Sequence, residues 1–201
     1  MTVRLAIGCM RLSTAPQRDE AGATAVIHAA LDSGVRLLDT ADAYCHDERD
    51  VGHNERLLAH ALGSWSGDRS EVEIATKGGL TRPGGKWVPD GRAKHLLAAC
   101  EASLRALGRE RIALYQLHVP DPRTPFVTSV RALARLQREG MVERVGLCNV
   151  TLAQLELARA ELDIAAVQIS LSPQDDVAVR GGVIEHCVAA SLEVLAYRPL
   201  G

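Results

Sequence analysis

The chain has 201 residues, 47% of them hydrophobic and 24% charged, with 23 lysines and arginines scattered among 25 acidic residues for a formal net charge of −2. That balance leaves no basic stripe to track a phosphate backbone, which speaks against nucleic-acid binding, and no stretch approaches the ~20 apolar residues of a membrane helix. The amino terminus lacks the apolar core of a secretory signal, and the five cysteines, Cys9, Cys45, Cys100, Cys148 and Cys187, are odd in number and show no CxxC spacing, so the composition points to a cytoplasmic chain with reduced thiols.

Short aliphatic or β-branched runs alternate with longer amphipathic ones, which predicts βα units and a parallel sheet. A first strand falls near 4–9 and a helix near 20–33; the strand 35–39 ends on Asp39 and precedes a helix near 53–63. The strand 72–77 ends on Lys77. It is followed by a helix over 92–107, in which Leu96, Leu97, Cys100, Leu104 and Leu107 recur on one side while His95, Glu101 and Arg105 face water. A strand at 112–118 ends on His118, with a helix near 126–139; strands at 143–148, 165–170 and 192–197 and helices at 151–160 and 178–190 complete the series. Parallel strands buried on both faces read as continuous apolar runs, as Ile112-Ala113-Leu114 does. No linker or low-complexity segment interrupts the alternation, so residues 1–201 read as one domain.

Asp39, Tyr44, Lys77 and His118 fall at or just after strand ends, where a parallel barrel points its side chains into one mouth. A phenol with an ordinary pKa of about 10 seldom releases its proton at neutral pH. A lysine ammonium beside Tyr44 favours the phenolate, an aspartate anchors that ammonium, and a histidine can hydrogen-bond a substrate oxygen. Taken singly, each residue has a plainer explanation: a turn cap for Asp39, a snorkelling side chain for Lys77, a loop aromatic for Tyr44, a satisfied core imidazole for His118.

Four such residues in order, each in its own frame (Val35-Arg36-Leu37-Leu38-Asp39-Thr40-Ala41-Asp42-Ala43-Tyr44, Val72-Glu73-Ile74-Ala75-Thr76-Lys77, Ile112-Ala113-Leu114-Tyr115-Gln116-Leu117-His118), resemble the active-site segments of the aldo-keto reductases. The resemblance runs from Ile7-Gly8-Cys9-Met10 to Ala196-Tyr197-Arg198-Pro199-Leu200-Gly201 and includes Val145-Gly146-Leu147-Cys148-Asn149 and Val167-Gln168. It implies a (β/α)8 TIM barrel, of which this sequence carries about seven of eight βα units. Such a barrel typically needs ~250 residues. Two strand edges are thereby left for a missing segment or a partner to cover.

The resemblance also implies NAD(P)H-dependent reduction of a small-molecule aldehyde or ketone, with Tyr44 as acid and Asp39, Lys77 and His118 as its partners. The nicotinamide half of the cofactor falls to Gly8, Cys9, Met10, Asp39, Thr40, Cys148, Asn149, Gln168 and Tyr197, and the pyrophosphate to Arg198, Leu200 and Gly201. Cys148 stands where many members place Ser, and a thiol is only a weak donor. NADPH is the expected cofactor and NADH stays open, because the groups that read a 2′-phosphate lie beyond Gly201 in that family. A protein that keeps the fold for regulation or scaffolding, without turnover, is the alternative.

Two long loops follow strands at the mouth, Cys45–His53 and Gly78–Gly91, and loops there set specificity in barrel enzymes. Trp87 is the expected substrate-pocket residue; a hydrophobic plug is its plainer role. Cys45, His46, Asp47 and His53 match no tetrahedral metal spacing, and neither GxSxG, GxxxxGK[ST] nor a strand-linked GxGxxG occurs.

Overall fold

The computed structural model describes residues 4–200. Seven parallel strands form one sheet: β1 (Ala6–Gly8), β2 (Leu37–Asp39), β3 (Glu73–Gly78), β6 (Ile112–Leu117), β7 (Val142–Cys148), β8 (Ala166–Ser170) and β9 (Glu193–Tyr197), in that spatial order. Helices α1 (Glu20–Asp32), α2 (His53–Ser64), α3 (Ala93–Leu107), α4 (Phe126–Arg138), α5 (Leu152–Arg159), α6 (Val177–Arg180) and α7 (Val183–Ala189) return the chain between them. This is a nearly closed barrel of the (β/α)8 type, in which β1 and β9 are the outer strands. No described helix is long and apolar enough to cross a membrane.

Local chemistry starts and stops the helices where the sequence alternation changes. Asp19 caps α1 by accepting from the Gly22 amide at 2.8 Å, and Ala23, Ile27 and Leu31, four residues apart, bury its inner stripe. Thr151 and Gln154 form a reciprocal capping box at α5. At the end of α3, Gly108 adopts a left-handed φ of 62° that a side chain would strain. The expected helix over 178–190 is in fact two, because Gly182 at φ 74° breaks the ladder between α6 and α7. The loop after β3 also holds a small antiparallel hairpin that sequence patterning does not show, β4 (Leu80–Thr81) with β5 (Val88–Pro89).

Parallel register and the two-residue period of strands stack the inward side chains in layers. Glu73, Ala75 and Lys77 share one face of β3; Leu114 and Gln116 follow the same alternation on β6, Arg144, Gly146 and Cys148 on β7, Ala166 and Gln168 on β8, and Glu193, Leu195 and Tyr197 on β9. The middle layer, Leu37, Ala75, Leu114, Ala166 and Leu195, forms its own apolar cluster, separate from the larger core between sheet and helices. Below it lie the charges of Glu73, Arg144 and Glu193; above it lie Asp39, Lys77, Gln116, Cys148 and Gln168. Gly146 is required in this stack: a Cβ there would stand 3.0 Å from Gln116 Cγ and 3.1 Å from the Ala166 carbonyl.

Candidate active site

The mouth of the barrel is built around Lys77. Its Nζ donates to Asp39 Oδ1 at 2.8 Å, to the Thr40 carbonyl at 2.8 Å and to the Tyr44 hydroxyl at 3.0 Å, which uses all three of its protons. The turn after β2 delivers Tyr44 to that point through a short backbone ladder, with Thr40 N–H donating to the Ala75 carbonyl, Asp42 N–H to the Lys77 carbonyl and Tyr44 N–H to the Ala41 carbonyl. His118 is held at the end of β6 by its amide donating to the Gly78 carbonyl. Its ring meets the Tyr44 ring edge-on at 5.5 Å, and Trp87 closes an aromatic triangle at 6.3 Å from Tyr44 and 6.4 Å from His118.

Burial and neighbouring charge set the protonation of this group. Burial pulls the Lys77 ammonium down, but the Asp39 carboxylate, with Tyr44 and Cys148, more than reverses it, so the net direction is upward and the amine stays charged. Burial pushes the Tyr44 phenol up and the Lys77 charge only partly offsets this. The Lys77 charge thus acts toward the phenolate, as expected, but burial outweighs it, and Tyr44 at rest keeps its proton. Burial, then the Lys77 charge, drives His118 well below the ordinary imidazole value, which leaves it neutral.

A further set of hydrogen bonds comes from the first turn of α2, which the sequence marks only as a helix start. Asn54, fully buried, donates through Nδ2 to the Cys9 carbonyl at 2.9 Å and to Ser13 Oγ at 2.7 Å, and accepts from Thr40 Oγ1 at 2.6 Å. Glu55 accepts from Thr76 Oγ1 at 2.6 Å, and His53 Nδ1 lies 2.8 Å from Ser13 Oγ. One helical turn thus ties the ends of β1, β2 and β3, the strands that carry or flank Asp39 and Lys77. A run of three polar residues where a helix should begin burying its face is the one signal of this in the sequence.

The remaining residues expected at a cofactor divide into two sets. Gly8, Asn149, Gln168 and Tyr197 border the mouth. Asn149, at a left-handed φ of 57°, donates to the His118 carbonyl at 3.1 Å and accepts from the Tyr197 hydroxyl at 2.7 Å. Gln168 accepts from Gln116 Nε2 at 3.0 Å and from the Cys148 thiol at 3.6 Å, and its own amide protons have no partner among the described residues. Cys9 and Cys148 are buried, and the Thr40 hydroxyl faces Asn54 rather than the mouth. Met10 opens a one-turn 3-10 helix after β1; Arg198 and Leu200 are exposed past β9, and Gly201 lies outside the described residues. Among those residues no group of three or more His, Cys, Asp or Glu side chains could hold a metal ion.

These residues fit a nicotinamide. Among the described residues His118 Nδ1 and Gln116 Oε1 are buried without a hydrogen-bond partner, the Gln168 amide protons have none, and nothing lies within 4 Å of the position a Cβ would take at Gly8. A planar ring with a carboxamide, itself both donor and acceptor, matches that set.

The sequence model of the aldo/keto reductase family matches residues 4–201. Among solved structures, the chain is similar to the glycerol dehydrogenase AKR11B4 of Gluconobacter oxydans, with 30% identity and a TM-score of 0.84 over 96% of this chain and 58% of that one. It is also similar to the aldo-keto reductase AKR11C1 of Bacillus halodurans in its holo form, with 27% identity and a TM-score of 0.80 over 96% and 61%. The thermostable aldo-keto reductase Tm1743 in complex with epalrestat shares 24% identity and the fold, with a TM-score of 0.81 over 97% of this chain and 68% of that one. The chain therefore spans less than two thirds of the length of the first two.

Proposed function

The chain belongs to the aldo/keto reductase family, and on that footing we propose that it reduces an aldehyde or ketone to an alcohol with a nicotinamide cofactor, Tyr44 giving the proton. The observation that carries this is the Lys77 contact with both Asp39 and the Tyr44 oxygen. Because Lys77 donates to that oxygen, the Tyr44 hydrogen is left to point away from the ammonium. Proton transfer from it to a carbonyl oxygen would leave the phenolate beside the Lys77 charge, which stabilises it at that moment and not before. The neutral His118 can donate one hydrogen bond to the same oxygen without competing as an acid.

A bound nicotinamide supplies the hydride. Gly8, Asn149, Gln168 and Tyr197 are the residues that would hold its ring and carboxamide, with the backbone of Cys9 and Met10 beside them and Arg198 reaching toward the phosphates. NADPH is the cofactor we favour. The likeness to a glycerol dehydrogenase supports a small, oxygen-rich substrate, and a cytoplasmic enzyme fits the reduced thiols of Cys9, Cys45, Cys100, Cys148 and Cys187.

Among the described residues β1 and β9 each pair with one strand only, and these edges support the second reading, a family member that binds without turnover. Titrating the 201-residue chain with NADPH and NADH while following nicotinamide fluorescence, then adding a reactive aldehyde, separates the two. Cofactor binding with aldehyde-dependent oxidation supports the reductase; binding with no oxidation supports the alternative.

A further inference from the structure

Arg82 is a charged side chain at the mouth that the reaction above leaves unused. It is only 5% exposed, its Nη2 donates to the His46 carbonyl at 3.0 Å, and its Nε and Nη1 are buried with no partner among the described residues. The acids of the loop carrying His46 have other partners: Asp47 with Arg49, Glu48 with the Gly84 amide, Asp50 with Arg18 and Arg56. By contrast, the other arginines of this rim, Arg92 and Arg123, are paired with Asp90 and Asp121. A buried guanidinium without a counter-ion is unfavourable, and one held in place by its surroundings signals a partner that arrives from outside.

The surroundings do hold it. Left-handed Gly84 and Gly85 fold the loop back so that the Gly85 amide donates to the Arg82 carbonyl at 3.0 Å, and a Cβ on Gly85 would stand 3.2 Å from the His46 carbonyl. The guanidinium carbon lies 3.7 Å from the Trp87 ring centroid, and that ring is the one facing Tyr44 and His118. Trp87, whose ring lies over the guanidinium, is 45% exposed, and an anion that reaches the buried Nε and Nη1 has to displace a covering group. The loop after β3 lies apart from the β1, β7, β8 and β9 ends assigned to the cofactor, which makes this a substrate contact.

We propose that Arg82, covered by Trp87, is an anion subsite, and that the substrate is a carbonyl compound carrying a carboxylate or phosphate group. The planar guanidinium fork suits both oxyanions. This rests on the reading of Tyr44 as the proton donor, and the test separates the two.

The test compares 4-carboxybenzaldehyde with benzaldehyde as probes on the 201-residue chain with NADPH. The expected result is a preference for the carboxylated aldehyde in kcat/KM that falls about 10- to 100-fold in Arg82→Gln, the range of a charged hydrogen bond. Arg82→Lys, which keeps the charge and loses the fork, should recover part of it. Equal preference in wild type and Arg82→Gln, or a loss of NADPH affinity in place of aldehyde discrimination, overturns the proposal. If neither aldehyde is reduced, the reductase reading fails by itself, and calorimetry with 4-carboxybenzaldehyde decides on Arg82: Arg82-dependent binding supports the subsite, and binding indifferent to both substitutions overturns it.

Discussion

The two ends of the barrel hold charge in opposite ways. At the mouth, the Lys77 and Asp39 side chains are 2% and 10% exposed and meet at 2.8 Å. At the base, Arg144 reaches Glu73 at 2.8 Å and Glu193 at 3.3 Å, with side chains 32%, 36% and 30% exposed, and Arg4 joins both acids from 3.7 and 4.0 Å. Water screens the base network, so its members are close to interchangeable with other polar side chains. At the mouth neither charge has water to fall back on, so each depends on the other.

The largest effect that would sharpen this contrast is expected from Lys77→Met. It strands Asp39 in a nearly dry site, where deletion of one partner of a buried pair commonly costs ~3–5 kcal/mol. Urea denaturation measures it. The double variant Lys77→Met/Asp39→Leu should recover most of that loss while remaining inactive, because replacing both buried charges with apolar groups is often nearly neutral. An unchanged midpoint for the single variant would show that the pair is solvated.

Asn54→Ala comes next. It leaves the Cys9 carbonyl and the Thr40 hydroxyl without their buried partner, a cost of ~1–3 kcal/mol for each group so stranded. The loosened ends of β1 and β2 should also lower turnover by more than the loss of folded protein accounts for.

The pH dependence of stability offers a smaller effect. His118 is held well below the ordinary imidazole value, so as pH falls below about 6.5 the unfolded chain takes up a proton that the native state refuses, and stability declines. Above that pH the residue contributes no slope. His118→Asn should flatten the decline between pH 7 and pH 5 by about one proton. A slope unchanged by the substitution would place the imidazole in contact with water.

The smallest effect belongs to the base. Arg144→Ala should cost no more than ~1 kcal/mol and less still in high salt. A loss as large as that of Lys77→Met would erase the distinction between the two ends.

The alternation of apolar runs made the seven strands of the sheet legible, because a strand buried on both faces shows its burial directly in composition, as Ile112–Leu117 does. The α6–α7 break was readable in principle at Gly181-Gly182, yet the amphipathic pattern runs through it. The β4–β5 hairpin was not legible, since two strands of two residues, one containing Pro89, carry no period. Asp39, Tyr44, Lys77 and His118 were legible as residues at or just after strand ends. The direction of the Tyr44 shift was not, because it depends on how deeply Tyr44 is buried, a property of the assembled mouth. Asn54 and Arg82 escaped for the same reason: their partners, Cys9, Thr40, His46 and Trp87, are brought to them by the fold and not by sequence spacing, Trp87 being close in the chain but meeting Arg82 only through the turn at Gly84-Gly85.

Tyr44→Phe tests the central claim most directly, because it removes the hydroxyl that Lys77 contacts and little else. On a reactive aldehyde kcat should fall by at least ~100-fold, the range for loss of a positioned acid, while NADPH affinity stays nearly unchanged. A Tyr44→Phe variant with near-normal kcat would show that the proton comes from elsewhere and that the Lys77–Tyr44 contact is structural.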